Sequence, residues 1–402
     1  MGIILIKKLR YPIFFLILFL LPLNLGKHFE LAPSYINGIL VDYLVPTVYL
    51  QDILVAFFVL LSLGDIFNTL LRRRYVFLYW FLFTIFLSAF NVYLAGSELF
   101  GIAVFLFARV LLYSLFSISL GSFIRFEFKF EGFTRVLAIS VGLLSLLAFA
   151  QWVRQASIFN NYLFFGEQPY SYSTFDINKE NFFGVLKIPP YATFRHPNVF
   201  GGFLSIVLLW ILQLAKKSRA WFLWVVFIFG CIALFLTLSS VAWLSFGLGV
   251  LLLHFLRKGR GNIISLIFVL CMVASFFIPY AKVSELPSFY RRASLAEASY
   301  SVFGSRWLFG LGYGLFTAFV STPDFFVPQP VHNIFILLLV ESGVLALLLF
   351  FAYLLQVLLR AKNTSPLLYV SILQFGLLGC FDHYIFTSHQ LLLLFWLIIG
   401  LV

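Results

Sequence analysis

The residue types able to do chemistry in this chain gather in a few short stretches between long apolar runs. The first stretch is Phe194-Arg195-His196-Pro197-Asn198-Val199-Phe200-Gly201-Gly202. It places Asn198 as a helix N-cap, and a helix N-terminus offers unpaired backbone N–H groups that favour anions. Arg195 and His196 beside that terminus would make a phosphate site, although capping alone accounts for Asn198 equally well. The second stretch runs from Gly310-Leu311-Gly312-Tyr313-Gly314 through Val331-His332-Asn333 to Glu341-Ser342-Gly343. His332 is the best single base or phosphate-contacting group, because imidazole changes protonation near neutral pH. Glu341 follows His332 by nine residues, which puts an ionisable group at membrane depth. Such a group is costly there and is a functional candidate unless it bonds a neighbouring helix. The third stretch is Asp382-His383-Tyr384 with Thr387, Ser388 and His389, in a tight turn before the last apolar run. Arg109 and Asp52 add two charges near membrane depth that suit pairing with each other or with other spans.

Other chemistries have no foothold. No paired carboxylates at helical spacing, Ser-His-Asp order, phosphate-binding glycine loop or His/Cys metal constellation stands in the sequence. Cys231, Cys271 and Cys380 all lie inside apolar runs without ligand spacing, so they read as packing residues rather than disulfides or metal ligands. Any reaction must rest on His, Arg and positioning, without a cofactor.

The elements that carry these stretches belong to a membrane. Of 402 residues 62% are hydrophobic and only 10% are charged, against roughly 25% charged in a soluble globule. The net charge of +12 comes as short clusters between apolar runs, not as a basic stripe with stacking aromatics, which argues against nucleic acid. The expected fold is all-α, a single integral membrane domain over 1–402. Twelve spans are expected near 11–25, 43–63, 75–95, 99–119, 134–152, 198–215, 220–236, 239–256, 262–280, 332–359, 366–382 and 386–402. The hydrophobic N-terminus, without a small-residue cleavage site, reads as a retained first span.

Lys7/Lys8/Arg10, Arg72/Arg73/Arg74, Arg125/Lys129/Arg135, Lys216/Lys217/Arg219, Arg257/Lys258/Arg260 and Arg360/Lys362 all fall on alternate loops. Positive loops stay in the cytoplasm, so both termini are expected there. The opposite face then carries two long connections, about 153–197 and 281–331, rich in Tyr, Ser, Pro and Asn. In the second, Phe289, Ala293, Ala296, Tyr300, Phe303 and Trp307 recur at steps of four and three, the apolar stripe of an amphipathic helix. Arg292 and Arg306 would share another face of it, offered to anionic groups or simply solvated.

At these stretches the chain resembles the O-antigen ligase family and the related O-antigen polymerases. The resemblance lies in the order Phe-x-His-Pro-Asn-Val-x-Gly-Gly-Phe at Phe194–Phe203, Gly-x-Gly-x-Gly-x-Phe at Gly310–Phe316, and His332-Asn333 followed by Glu341 and Gly343. Ala150-Gln151-Trp152 leading to Gly166-Glu167, and the Asp382-His383-Tyr384 turn, are also similar, so roughly 140–402 is covered. The resemblance implies a helical, metal-independent glycosyltransferase of the cytoplasmic membrane with its active site on the outer face. It would move a glycan from an undecaprenyl-diphosphate carrier to a hydroxyl of an acceptor glycan, glycolipid or protein. His332 matches the family's leading catalytic residue, with Asn333 and Glu341 beside it, and arginines of the outer connections would bind the diphosphate. Two positions depart from the family. Pro189 and Pro190 stand where an arginine is common, leaving Arg195 or Lys187 to serve, and Thr237-Leu238-Ser239-Ser240 lacks the arginine of a Thr-x-Ser-Arg pattern. Either the anion site is rebuilt from Arg291, Arg292 and Arg306, or the activity differs from the family's. A protein O-oligosaccharyltransferase is the runner-up, and a lipid or glycan transporter ranks last because no inverted repeat is evident.

Overall fold

Long apolar runs that exclude charge can satisfy their backbone in lipid only as helices or closed barrels, and this chain takes the helical solution. A computed structural model describes residues 2–70, 72–127, 130–256, 260–275, 287–304, 306–320 and 328–402. Lys129, Arg257 and Lys258 of the basic loops lie outside the described residues, as do 276–286 and 321–327 of the last expected spans and second connection.

In chain order the helices are α1 (Gly2–Leu20), α2 (Leu50–Leu61), α3 (Leu63–Leu70), α4 (Val76–Leu94), α5 (Phe100–Glu127), α6 (Phe130–Arg154), α7 (Tyr162–Phe165), α8 (Pro197–Lys217) and α9 (Trp221–Leu236). They continue as α10 (Ser240–Leu256), α11 (Gly261–Ser275), α12 (Pro287–Phe303), α13 (Phe316–Phe319), α14 (Ile334–Thr364), α15 (Pro366–Phe381), α16 (Tyr384–Thr387) and α17 (His389–Gly400). Helices α4, α5, α6, α8 and α14 are long and apolar enough to cross a membrane. The pair α2 and α3, bent by 69° at Ser62, makes a sixth if it is one span. Apolar helices of 10–17 residues lie in α1, α9, α10, α11, α15 and α17.

The fold is mostly helical and that of a membrane protein. Large apolar side chains stand exposed along α4 (Trp80, Phe83, Phe86, Phe90) and α11 (Ile263, Leu266, Leu270). Unbroken apolar faces of this kind suit lipid, not water. Helix α8 is apolar and buried almost all round, and it contacts α6, α9, α10 and α15. Polar bonds tie its neighbours together: Trp210 Nε1 donates to Ser371 Oγ at 2.8 Å, and Gln374 Nε2 donates to the carbonyls of Ser205 at 2.9 Å and Ser245 at 3.1 Å. Gly202 allows Tyr384 to approach, since a Cβ there would stand 2.7 Å from the Tyr384 hydroxyl.

Several details differ from the sequence reading. The stretch expected as a span over 43–63 starts as a helix only at Leu50, because Thr47–Tyr49 pairs as a strand with Gly26–His28. Pro46 lies just before that strand, and its ring removes the N–H that an earlier helical turn would use. The break between α9 and α10 falls at the Thr237–Ser239 turn, as expected, with Leu238 in the left-handed region. Two further short antiparallel ladders, Tyr35–Ile36 with Ile39–Leu40 and Glu180–Phe182 with Val185–Lys187, order the connections.

Candidate functional site

The start of α14 fixes the first site residue. Asn333 caps the helix, its Oδ1 accepting from the N–H groups of Phe335 at 2.9 Å and Ile336 at 3.1 Å. Its Nδ2 donates to Ser275 Oγ at 3.0 Å and to the Cys380 carbonyl at 3.3 Å, so the cap also ties α14 to α11 and α15. Asn333 is thereby a scaffold for the neighbouring His332.

The end of α15 supplies the partner. Its backbone leaves the helix at Asp382, which is extended. Asp382 Oδ1 accepts from the His383 backbone N–H at 2.8 Å and faces His332 Nδ1 at 3.3 Å. Its Oδ2 accepts from Asn198 Nδ2 at 3.5 Å. That bond is possible because the cap of α8 falls on His196, not on Asn198. His196 Nδ1 accepts the Asn198 backbone N–H at 3.1 Å, and Pro197, which has no N–H to lose, occupies the first turn. The Asn198 side chain is thus left to reach across to α15. His383 completes the group. Its ring centroid lies 5.0 Å from that of His332 and 5.5 Å from that of Tyr43, and its Nδ1 is 2.8 Å from Thr387 Oγ1.

In this knot of three histidines, an aspartate and an asparagine, Asp382 and His383 are buried while His196, Asn198 and His332 stay half-buried. Burial pushes the Asp382 carboxyl up, yet the neighbouring His332, which bonds it, with His383 and Arg292, outweighs burial and holds Asp382 well below the usual carboxylate range. Burial drives His196 down to about 4 and His383 down to about 3, against the pull of Asp382. Both rings are neutral at physiological pH. The His332 side chain keeps 18% of its surface exposed, and its Nε2 has no hydrogen-bond partner among the described residues. With Nδ1–H given to a carboxylate, Nε2 is the lone-pair-bearing nitrogen, an arrangement suited to taking a proton. One atom each of His332, Asp382 and His383 lies within 4.8 Å of the others, a set able to hold a metal ion.

A cavity of about 70 Å³ adjoins the knot through Tyr43 and Thr387, both in contact with His383. Arg195, Arg109, Asp42, Tyr49, Glu341 and His389 are among its lining residues. Arg195 Nη2 donates to the Tyr49 hydroxyl at 3.2 Å and lies 3.2 Å from His28 Nε2. Among the described residues no carboxylate forms an ion pair with it. Arg109, by contrast, pairs with Asp52 at 3.1 Å, and Tyr113 donates its hydroxyl to the same carboxylate at 2.5 Å. Tyr49 is stacked on His389, with centroids 3.4 Å apart, and Arg109 lies over the Tyr49 ring at 5.1 Å.

Not every expected residue joins this site. Arg292 acts electrostatically on Asp382, His383 and His196, and Arg291 on Tyr43, so α12 brings both arginines to the knot's edge. Helix α12 packs its buried Leu295 and Ala296 toward α14 and ends at Phe303. Arg306 and Trp307 therefore lie beyond it, both exposed, and Arg306 stands 5.5 Å from the centre of the Phe319 ring. Glu341 lines the cavity but its bonds turn elsewhere. Its Oε1 accepts the Phe316 N–H at 3.1 Å, and its carbonyl accepts from Gly312 N–H at 2.9 Å and Ser88 Oγ at 2.7 Å. Gly310, Gly312 and Gly314 all have positive φ, and Gly343 kinks α14 at φ 84°, with the Leu308 carbonyl only 2.0 Å from where a Cβ would sit. The glycine stretch and Glu341 lock this loop onto α14.

Asp382 and His383 enter the site although sequence reasoning put neither among the binding residues. The signal was the polar turn between two apolar runs, read as a cluster but without a partner. His28, Tyr49 and Tyr43 gave no signal, since their partners are far away in sequence. No model of a known protein family matches this chain. No curated protein matches it either.

Proposed function

We propose that the chain is a membrane glycosyltransferase that moves a glycan from an undecaprenyl-diphosphate carrier to an acceptor hydroxyl in cell-surface polysaccharide assembly. The observation that carries this reading is the Asp382–His332 hydrogen bond, which leaves His332 Nε2 available, while the cavity that meets the neighbouring His383 through Tyr43 and Thr387 is lined by Arg195, which forms no carboxylate ion pair among the described residues. The acceptor O–H gives its proton to Nε2 as its oxygen attacks the anomeric carbon. The bond from that carbon to the diphosphate then breaks, and the carrier leaves as the diphosphate anion. Arg195, with Arg291 and Arg292 from α12, supplies positive charge to that leaving group. His196 and Asn198 hold Asp382 and the start of α8 in place, and Asn333 and Glu341 hold the two ends of the α14 entry.

The cavity volume of about 70 Å³ suits a phosphoryl group or one hydroxyl-bearing carbon rather than a whole glycan. The glycan would extend outward and the lipid sideways, along apolar helices. In this reading the bent pair and the short apolar helices complete twelve crossings of the cytoplasmic membrane, with both termini inside and the His332 end outside. A decisive test incubates the purified chain in lipid nanodiscs with an undecaprenyl-diphosphate oligosaccharide and an acceptor glycolipid. Wild type is expected to transfer glycan, and His332→Ala and Asp382→Asn are expected to lose most of that transfer. Equal transfer by His332→Ala and wild type would overturn the reading.

A further inference from the structure

The proton count at His383 leads beyond that reaction. Thr387 Oγ1 donates to the His383 carbonyl at 3.3 Å, and the same oxygen is 2.8 Å from His383 Nδ1. Both contacts are satisfied when Nδ1 carries the ring proton and donates it to Oγ1. His383 Nε2 is then a bare lone pair, and it faces Asp382 Oδ1 at 3.8 Å. That carboxylate oxygen already accepts the His383 backbone N–H and faces His332 Nδ1. In this tautomer a buried lone pair meets a buried carboxylate, and a cation between them turns that repulsion into coordination. The third donor atom, His332 Nδ1, stands 3.3 Å from the same Asp382 oxygen. Two ligands on a tetrahedral zinc ion, at bond lengths near 2.0–2.1 Å, are themselves roughly 3.3 Å apart.

We infer that His332, Asp382 and His383 form a binding site for a divalent transition-metal ion of the zinc type. Two imidazoles and one carboxylate match the nitrogen and oxygen preference of such ions, and three protein ligands leave the fourth position open to water or an anion. The Thr387 hydroxyl orients His383 from behind, as a second layer of bonds does for metal-bound histidines. A metal at His332 Nδ1 replaces the proton there and obliges the neutral ring to carry its proton on Nε2. The ion therefore takes away the acceptor atom that the proposed transfer needs, and bound metal switches the reaction off. The binding claim stands without the transfer reading, whereas the inhibition rests on it.

The experiment titrates the full chain, in nanodiscs and freed of any histidine tag and of metal, with Co²⁺. Expected is one ion per chain with the strong visible bands of a four-coordinate site, displaced by Zn²⁺. His383→Ala should abolish these bands. Thr387→Val, which keeps all three ligands and changes one hydroxyl to a methyl, should weaken binding by about 10–100-fold. No visible bands in the wild type, or equal affinity in wild type and both variants, overturns the site. Tight one-to-one binding with undiminished glycan transfer at saturating Zn²⁺ supports the site and counts instead against His332 as the base.

Discussion

Two groups of buried polar residues adjoin the N-terminal side of α8 and are built on opposite principles. In the first, the Glu167 carboxylate accepts the N–H of Ile158 at 2.7 Å, of Phe159, and of Asn160 at 3.1 Å, together with Gln151 Nε2 at 2.6 Å. Gln151 in turn holds the Ala192 N–H at 2.7 Å and the Ala192 carbonyl at 3.1 Å. All of these bonds close within the chain. They fasten the connection after α6 to the segment that leads into α8. In the second group, His332 and His383 each keep one ring nitrogen without a hydrogen bond among the described residues. A polar group that has spent its bonds internally builds structure, and one with an atom left over can meet a ligand. The same contrast separates Arg109, committed to Asp52, from Arg195.

Removing one member from each group should break them in different ways. Glu167→Ala leaves three backbone N–H donors and the buried Gln151 amide without their charged acceptor, and the expected loss of stability is about 3–5 kcal/mol, measured by thermal unfolding in detergent. Its remaining folded fraction should still transfer glycan. His332→Ala, which leaves Asp382 its bonds to the His383 N–H and to Asn198, should lose less stability than Glu167→Ala while its transfer rate falls by about 10²–10⁴-fold, the usual contribution of a positioned general base. If the two variants swap these signatures, the division between closed and open groups fails.

Gly343→Ala probes the loop that Glu341 holds. The added methyl meets the Leu308 carbonyl, and φ of 84° is strained for alanine, so about 3 kcal/mol of stability should be lost. Ser88→Ala, which removes one bond to the Glu341 carbonyl, should cost only about 1 kcal/mol in the same assay. A far larger loss from Ser88→Ala would mean that Glu341 does more than fasten a loop.

Much of the scaffold could be read from the chain and most of the site could not. Apolar runs and the Thr237–Ser239 break are local signals, and the helices follow them. Asn333 and Glu341 were visible as polar residues beside or inside an apolar run, but their roles depend on Ser275, Phe316 and Ser88, which no local pattern connects to them. The pairing of His332 with Asp382 spans 50 residues and exists only because α14 and α15 bring their ends together. Arg306 looked like a partner of Arg292 because helical periodicity was carried past Phe303, where α12 stops. The cap of α8 was misplaced for a chemical reason. Asparagine is the commoner cap, but Pro197 claims the first turn and makes the preceding imidazole the acceptor.

That cap yields the smallest and most specific test of the comparison, because His196 belongs to neither group entirely. Its Nδ1 is spent on the Asn198 N–H, while its ring feels Asp382, His332 and Arg292. The bond requires a neutral ring. Burial supplies it by lowering the ring from 6.5 to about 4. A folded-state value below the unfolded one means that the unfolded chain binds the proton first, so stability is full above 6.5 and drains as pH falls toward 4. His196→Asn keeps a capping acceptor and removes the titration. It should lie within about 1 kcal/mol of wild type at neutral pH. Its stability should then fall less steeply in acid, by the share that His196 contributes, while Asp382 and His383 go on titrating in both proteins. Parallel curves for the two proteins would show that the His196 cap is not what acid attacks.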